Sequence, residues 1–232
     1  MTLAVGSRVR LRPRPGGDIM DIALAGRTAV IDGIEETMEG GRLLAVLVDD
    51  DPGRGEWGHR FFFAPEEVEP LPLRVLVAGI GNVFLGDDGF GVVLADRLSR
   101  RRWPAGVQVA DFGIRGMDLA YTLLDGWDAA ILLDAAPRGE APGTLYVIEP
   151  ELEADDVAPE AHGMDPATVL ALVRSLGGMP PRTLVLGCEP LTRMTEDDEI
   201  VAELTEPVRV ALDQAELLFA SVLDDLMRGD SR

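Results

Sequence analysis

The chain has 232 residues, 47% hydrophobic and 27% charged, enough for one large domain or for a medium and a small domain of ordinary soluble composition. Its net charge of −20, from 41 acids against 21 bases, argues against a phosphate-tracking nucleic-acid surface and suits solubility or a basic partner. Apolar runs such as Ala129–Leu133 are far short of the ~18 residues of a membrane span, and Met1–Leu11 lacks the apolar core of a signal peptide. The single cysteine, Cys188, has no internal partner, so the expected location is the cytoplasm, with no membrane association. All 21 basic residues are Arg, which reads as the codon composition of a GC-rich genome.

Residues 1–70 read as short strands. Ser7–Arg14, Thr28–Glu35, Leu43–Asp49 and Trp57–Phe63 are rich in Val, Ile, Leu, Phe and Arg, and turn-prone Pro-Gly, Met-Glu-Gly-Gly and Asp-Pro-Gly stretches separate them. That spacing predicts a small all-β domain, an SH3-like barrel. It carries 8 Arg and 13 acids and no catalytic constellation. The prolines of Pro65–Pro72 disfavour regular structure, and the domain boundary is placed there.

From Leu73 to the end, residues 73–232, the pattern changes to apolar runs alternating with helical periods, as in a layered α/β domain. Strands are expected over Arg74–Ile80, Val107–Phe112, Ala129–Ala135, Gly143–Ile148 and Arg182–Cys188. Helices are expected over Asp88–Arg102, Asp118–Leu124, Pro166–Leu176 behind an Asp165 cap, and Ile200–Met227 with a kink near Pro207. The gap between the third and fourth strands is too short for a crossover helix, so the fourth should run antiparallel to the others.

In an open, mostly parallel sheet, ligands bind beyond the carboxyl ends of the strands. Four polar clusters fall at such ends: Asn82–Asp88, Asp111–Met117, Asp134–Pro137 and Glu189–Met194. The first begins G-x-G, and Asp111 ends the second strand, as in a dinucleotide site. Phe84 stands where the third glycine belongs, however, and Asp87 and Asp88 would repel phosphate at the helix start. The two acids are either helix caps, favoured by the macrodipole, or functional carboxylates, and one cap is enough. Asp134 ends a fully apolar strand, where a carboxylate is costly to bury unless it is paired, coordinated or capping. His162 lies in the loop Ala158–Pro166; a lone loop histidine is more often a surface residue than a ligand. His59 is expected to be structural or exposed. Cys188 reads as a small buried apolar residue in preference to a thiol nucleophile. There is no G-x-S-x-G elbow and no H-E-x-x-H.

Taken together, the motifs resemble the NiFe-hydrogenase maturation endopeptidases. Arg74–Asn82 followed by Asp87-Asp-Gly-Phe-Gly91 is similar to the family's opening strand, G-x-G-N and D-[DE]-[GA]-x-G. Asp111–Leu119 resembles its D-G-G-x-x-G-x-x-L, with Phe112 in place of a glycine. Ala130–Asp134 resembles its strand ending in aspartate, Ala141–Thr144 its P-G-T, and Gly187–Pro190 its G-x-x-P, while His162 falls where the family has a histidine before a helix. The likeness runs from Arg74 to Leu226 and leaves the N-terminal segment outside it.

The resemblance implies a three-layer αβα domain of the phosphorylase/hydrolase-like kind, with a mixed, mostly parallel five-stranded sheet. It implies a protease that removes the C-terminal peptide of the hydrogenase large-subunit precursor once nickel is inserted. It carries the metal-contacting and catalytic roles to Asp88, Asp134 and His162. Asp88 stands where other members carry Glu, one methylene longer, and Asp87 is left as the helix cap. Two carboxylates and one imidazole form an incomplete ligand set, open to ligands that the substrate contributes. The nickel would therefore arrive with the precursor and would not be tightly held by the enzyme alone. The same triad would serve a non-catalytic nickel-site chaperone.

Overall fold

The computed structural model describes residues 3–14, 19–37, 40–49, 51, 59–150, 165–191 and 200–228. The chain divides into two compact units, Met1–Leu73 and Arg74–Arg232.

The first unit is a five-stranded antiparallel sheet. Its strands are β1 (Arg8–Leu11), β2 (Thr28–Glu36), β3 (Arg42–Val48), β4 (Arg60–Phe63) and β5 (Val68–Pro70), in the order β4-β3-β2-β1-β5. Alternation along β1 buries Val9 and Leu11, which pack with Ile31, Leu44, Val46 and Phe63 in one core. No β4–β5 pairing closes this sheet into a barrel among the described residues. Two elements differ from expectation. A short helix, α1 (Ile19–Leu24), has no sequence period to announce it and buries Leu24 alone. The proline-rich stretch read as a linker folds instead: Pro65–Glu67 makes a 3-10 turn, and β5 pairs with β1. Pro70 is tolerated because β5 is an edge strand.

The second unit holds β6 (Val75–Ile80), α2 (Phe90–Ser99), β7 (Val107–Gly113), α3 (Gly116–Leu123), β8 (Ala129–Ala135), β9 (Leu145–Ile148), α4 (Pro166–Ser175), β10 (Arg182–Cys188) and α5 (Glu206–Arg228). The sheet order is β7-β6-β8-β10-β9, with parallel pairs except β9, which runs antiparallel to β10 as the short connection requires. Leu76, Ala78 and Ile80 of β6, with Ala130 and Leu132 of β8, face α3 and α4, where Leu119, Leu123, Leu170 and Val173 complete a core. α2 packs on β6, β7 and β8 and also meets α5. Trp103 sets its ring edge-on to Phe219 of α5 at 4.9 Å. The sheet is thus sandwiched between two helical layers.

α5 begins later than the periodicity suggests, at Glu206, and Pro207 sits in its first turn. The missing N–H of proline costs nothing there, so the expected kink becomes a helix start.

Candidate active site

The chain leaves β6 to one side, to β7, and then crosses to the other side of β6 to form β8. The strand order reverses between β6 and β8, and a crevice opens there beyond the carboxyl ends. A cleft of about 1420 Å³ occupies this position and is lined by Gly81, Asn82, Asp88, Asp134, Arg138 and Asp165, among others.

The loop after β6 is shaped by close backbone approach. Gly81 has φ +116°, and a Cβ there would lie 1.9 Å from the carbonyl oxygen of Asp88. A Cβ on Gly91 would lie 2.0 Å from the carbonyl oxygen of Leu133. These glycines therefore serve strand–turn–helix packing. The glycine-rich opening of the sequence needs no phosphate to explain it.

Gly86–Gly89 forms a 3-10 turn that presents the two neighbouring acids in opposite senses. Asp87 is fully buried. Its Oδ1 accepts from the Thr205 N–H at 2.7 Å, and its Oδ2 from the Leu191 N–H and the Thr205 hydroxyl, each at 2.9 Å. No side chain caps the 3-10 turn or α2. The expected cap of its own helix is thus a staple between this turn and the approach to α5. Asp88 faces the cleft, and its carboxylate accepts the Asn82 N–H at 2.5 Å.

Asp134 ends β8, alongside the loop of Asp88 because β8 pairs directly with β6. Burial, then the neighbouring charge of Asp88, and to a lesser degree Asp165, push its carboxyl up to about 8, against the pull of the Ala135 N–H. Among the described residues, no ion pair reaches Asp88 or Asp134, and the two acids share the cleft. Asp165 caps α4, accepting the Thr168 N–H at 3.2 Å, and also lines the cleft. Its sequence position after the loop histidine was readable, but its capping role gave no sign that it would also face Asp134.

His162 lies outside the described residues. Among the described residues, no three His, Cys, Asp or Glu side chains gather closely enough to hold a metal by themselves. His59 is exposed, with Nδ1 at 3.1 Å from the Asp51 carboxylate. Asp111 is exposed at the end of β7 and is absent from the cleft lining.

Cys188 is fully buried, and burial, then Asp87 and Glu189, push its thiol up to about 12. Burial and the raised thiol both oppose a thiolate nucleophile at this position. Glu189 is buried too, and sequence reading gave it no specific role. It accepts from the Tyr146 hydroxyl at 2.6 Å and from the Arg138 and Gly139 N–H groups at 2.7 and 3.0 Å. It thus fixes the loop between β8 and β9 that forms one wall of the cleft. The Tyr146 hydroxyl first, then the backbone donors, hold its carboxyl down at about 2, below its ordinary 4.5. A depressed acid stabilises the fold fully above its unfolded value and loses that effect as pH falls through the folded one. Glu189→Gln is therefore expected to lower the melting temperature at neutral pH. It should also lose the part of the acid sensitivity between about pH 4.5 and 2 that belongs to this group, read from melts across that range.

Comparisons with known proteins place the chain in a family. A family model described as HycI, hydrogenase maturation protease, matches residues 92–221, a span that takes in Asp134 and His162 and begins just after Asp88. The hydrogenase expression/formation protein HupM of Azotobacter chroococcum mcd 1 is 35% identical over 151 residues, covering 61% of this chain and 68% of its own. The hydrogenase 2 maturation protease of Escherichia coli (strain K12) is 32% identical over 124 residues, 51% of this chain and 74% of its own. The solved structure of the hydrogenase maturating endopeptidase HybD from E. coli aligns with a TM-score of 0.51 at 28% identity. That alignment covers 66% of this chain and 94% of HybD.

Proposed function

The chain belongs to the hydrogenase maturation protease family, and on that premise we propose that it removes the C-terminal peptide of a NiFe-hydrogenase large-subunit precursor after nickel insertion. It is an endopeptidase, a hydrolase of peptide bonds, as its relatives are. The observation that carries the finer reading is the pair of carboxylates, Asp88 and Asp134, facing one cleft with no ion pair to either among the described residues.

A buried carboxyl whose ionisation a neighbouring acid opposes, as Asp134 is beside Asp88, is a poor resting arrangement and a good receptor for a divalent ion. The substrate supplies that ion: nickel already held by cysteine thiolates in the precursor. Asp88, Asp134 and His162 then contribute hard oxygen donors and one imidazole to its open positions. Recognition of a finished nickel centre fixes the scissile bond against these residues, so the metal acts at least by positioning. Asp134 must shed its proton when the ion arrives, which couples substrate recognition to pH.

The N-terminal unit lies outside the matched span. We read it as an SH3-like docking or stabilising module. The lone cysteine and the absence of any helix long and apolar enough to cross a membrane, among the described residues, suit a reaction in the cytoplasm.

The test is incubation of the purified protein with nickel-loaded and nickel-free precursor, read by mass spectrometry. Cleavage of the loaded form alone is expected. An intact loaded precursor would leave the chaperone reading in place of the protease, and equal cleavage of both forms would remove nickel from recognition. Asp88→Ala and His162→Ala should each abolish cleavage with the fold intact; a fully active His162→Ala would break the triad. Deletion of residues 1–70 should slow processing, and an unchanged rate would reject a docking role.

A further inference from the structure

The cleft is acidic on three sides, through Asp88, Asp134 and Asp165, with Glu149 further along its wall. One cation, Arg138, lines it among the described residues. Four observations separate Arg138 from a surface arginine with no role. Among the described residues, no carboxylate pairs with its guanidinium, in a chain where Arg8, Arg12, Arg14, Arg97 and Arg101 are all held by acids. Nor is its charge among those acting on Asp134, which are Asp88 and Asp165. Its backbone is fixed, because buried Glu189 accepts the Arg138 and Gly139 N–H groups, and the Ala136 N–H donates to the Cys188 carbonyl at 2.9 Å. Its guanidinium lies 5.9 Å from the centre of the Tyr146 ring, which limits where it can swing.

A charged fork on a fixed loop, unpaired among the described residues beside three acids, is a place in that cleft where a carboxylate is welcome. We infer that Arg138 is a specificity residue that binds a carboxylate on the segment of precursor lying in the cleft, and so sets which peptide bond is presented to Asp88 and Asp134. This rests on the endopeptidase reading above. The carboxylate is either an acidic side chain or the terminal carboxylate of the peptide to be removed. Beside Asp88, Asp134 or Asp165 the same group would meet like charge, so the pairing selects a register as well as a partner.

The experiment compares the full-length protein with Arg138→Gln and Arg138→Lys on nickel-loaded precursor, measuring KM, kcat and, independently of turnover, precursor affinity. Arg138→Gln should raise KM and weaken binding by about tenfold, with kcat within about twofold and an unchanged melting temperature. Arg138→Lys, which keeps the charge and loses the fork, should fall between. Precursors with each acidic side chain of the cleaved peptide neutralised, or with an amidated C-terminus, identify the partner. The partner is the one change that weakens wild-type binding and has no further effect on Arg138→Gln. Unchanged KM and affinity in Arg138→Gln, or effects that add for every precursor variant, would overturn the inference. A wild-type protein that binds through Arg138 but leaves the precursor intact would sink the endopeptidase reading, and with it the choice of bond, while the carboxylate contact itself would stand.

Discussion

Asp134→Asn is expected to abolish processing and, in the same protein, to raise the melting temperature of the metal-free fold at pH 8. The carboxyl titrates near 8 in the folded chain against 3.8 as its ordinary value, pushed there first by burial and then by Asp88. Between those values the unfolded chain is ionised at this position and the folded chain is not. Stability therefore falls as pH rises from about 4 and levels off above about 8. Asparagine keeps an oxygen for the Ala135 N–H and carries no such cost. Asp134 is partly exposed at the strand end, and water there screens much of the penalty. The gain at pH 8 should be on the order of 2 kcal/mol, or about 5 °C. At pH 5 most of the difference should vanish. Melts of both proteins at the two pH values, beside a mass assay on loaded precursor, read the stability and the activity separately. A variant no more stable at pH 8 than its parent would mean that Asp134 is not the strained acid that its surroundings imply. By the same linkage, affinity for loaded precursor should rise with pH toward 8, because Asp134 must release its proton to solvent before its carboxylate can take up the nickel.

That trade between stability and activity explains which parts of the site sequence could reveal. Asp134 was legible because an acid at the end of Ala129–Leu133 breaks a run that is otherwise wholly apolar. The β9 reversal was legible because chain length alone forbids a crossover. Asp87 and Asp88 were legible as a pair, but their roles were not, because the difference between them lies in partners far along the chain. Leu191 and Thr205 are 104 and 118 residues from Asp87. No local pattern encodes that contact, whereas a helix cap is a local idea and was the natural guess. The same limit hid the part played by Glu189, whose acceptor oxygens serve a loop some 50 residues earlier, and the pairing of β5, whose prolines argue locally against a strand. Family likeness supplied the reaction, which neither period nor spacing contains. The assignment of His162 still rests on that likeness.

Asp87→Ala should be the most damaging single change in the α/β unit among those considered for stability. The side chain is fully buried and receives two backbone N–H groups and one hydroxyl. Removing it takes the charged acceptor from the Leu191 and Thr205 N–H groups and from the Thr205 hydroxyl, and hydrogen bonds to a buried charge are among the costlier ones to lose. A loss of about 3 kcal/mol, or roughly 9 °C, is expected from urea and thermal melts. Asp87→Asn should rescue little. Both oxygens accept backbone donors, so whichever way the amide turns, its NH₂ meets an N–H. Thr205→Val keeps the carboxylate and both backbone donors and should cost only about 1 kcal/mol. That order, with alanine and asparagine close together and valine well behind, is the signature of a staple; an Asp87→Asn as stable as the parent would contradict it. Activity should fall along with stability, because the tether holds the turn that aims Asp88 into the cleft. Asp134→Asn, by contrast, should separate the two. The neighbouring acids of the first loop thus divide the work: Asp87 fixes the turn from inside the protein, and Asp88 faces the cleft from the turn so fixed.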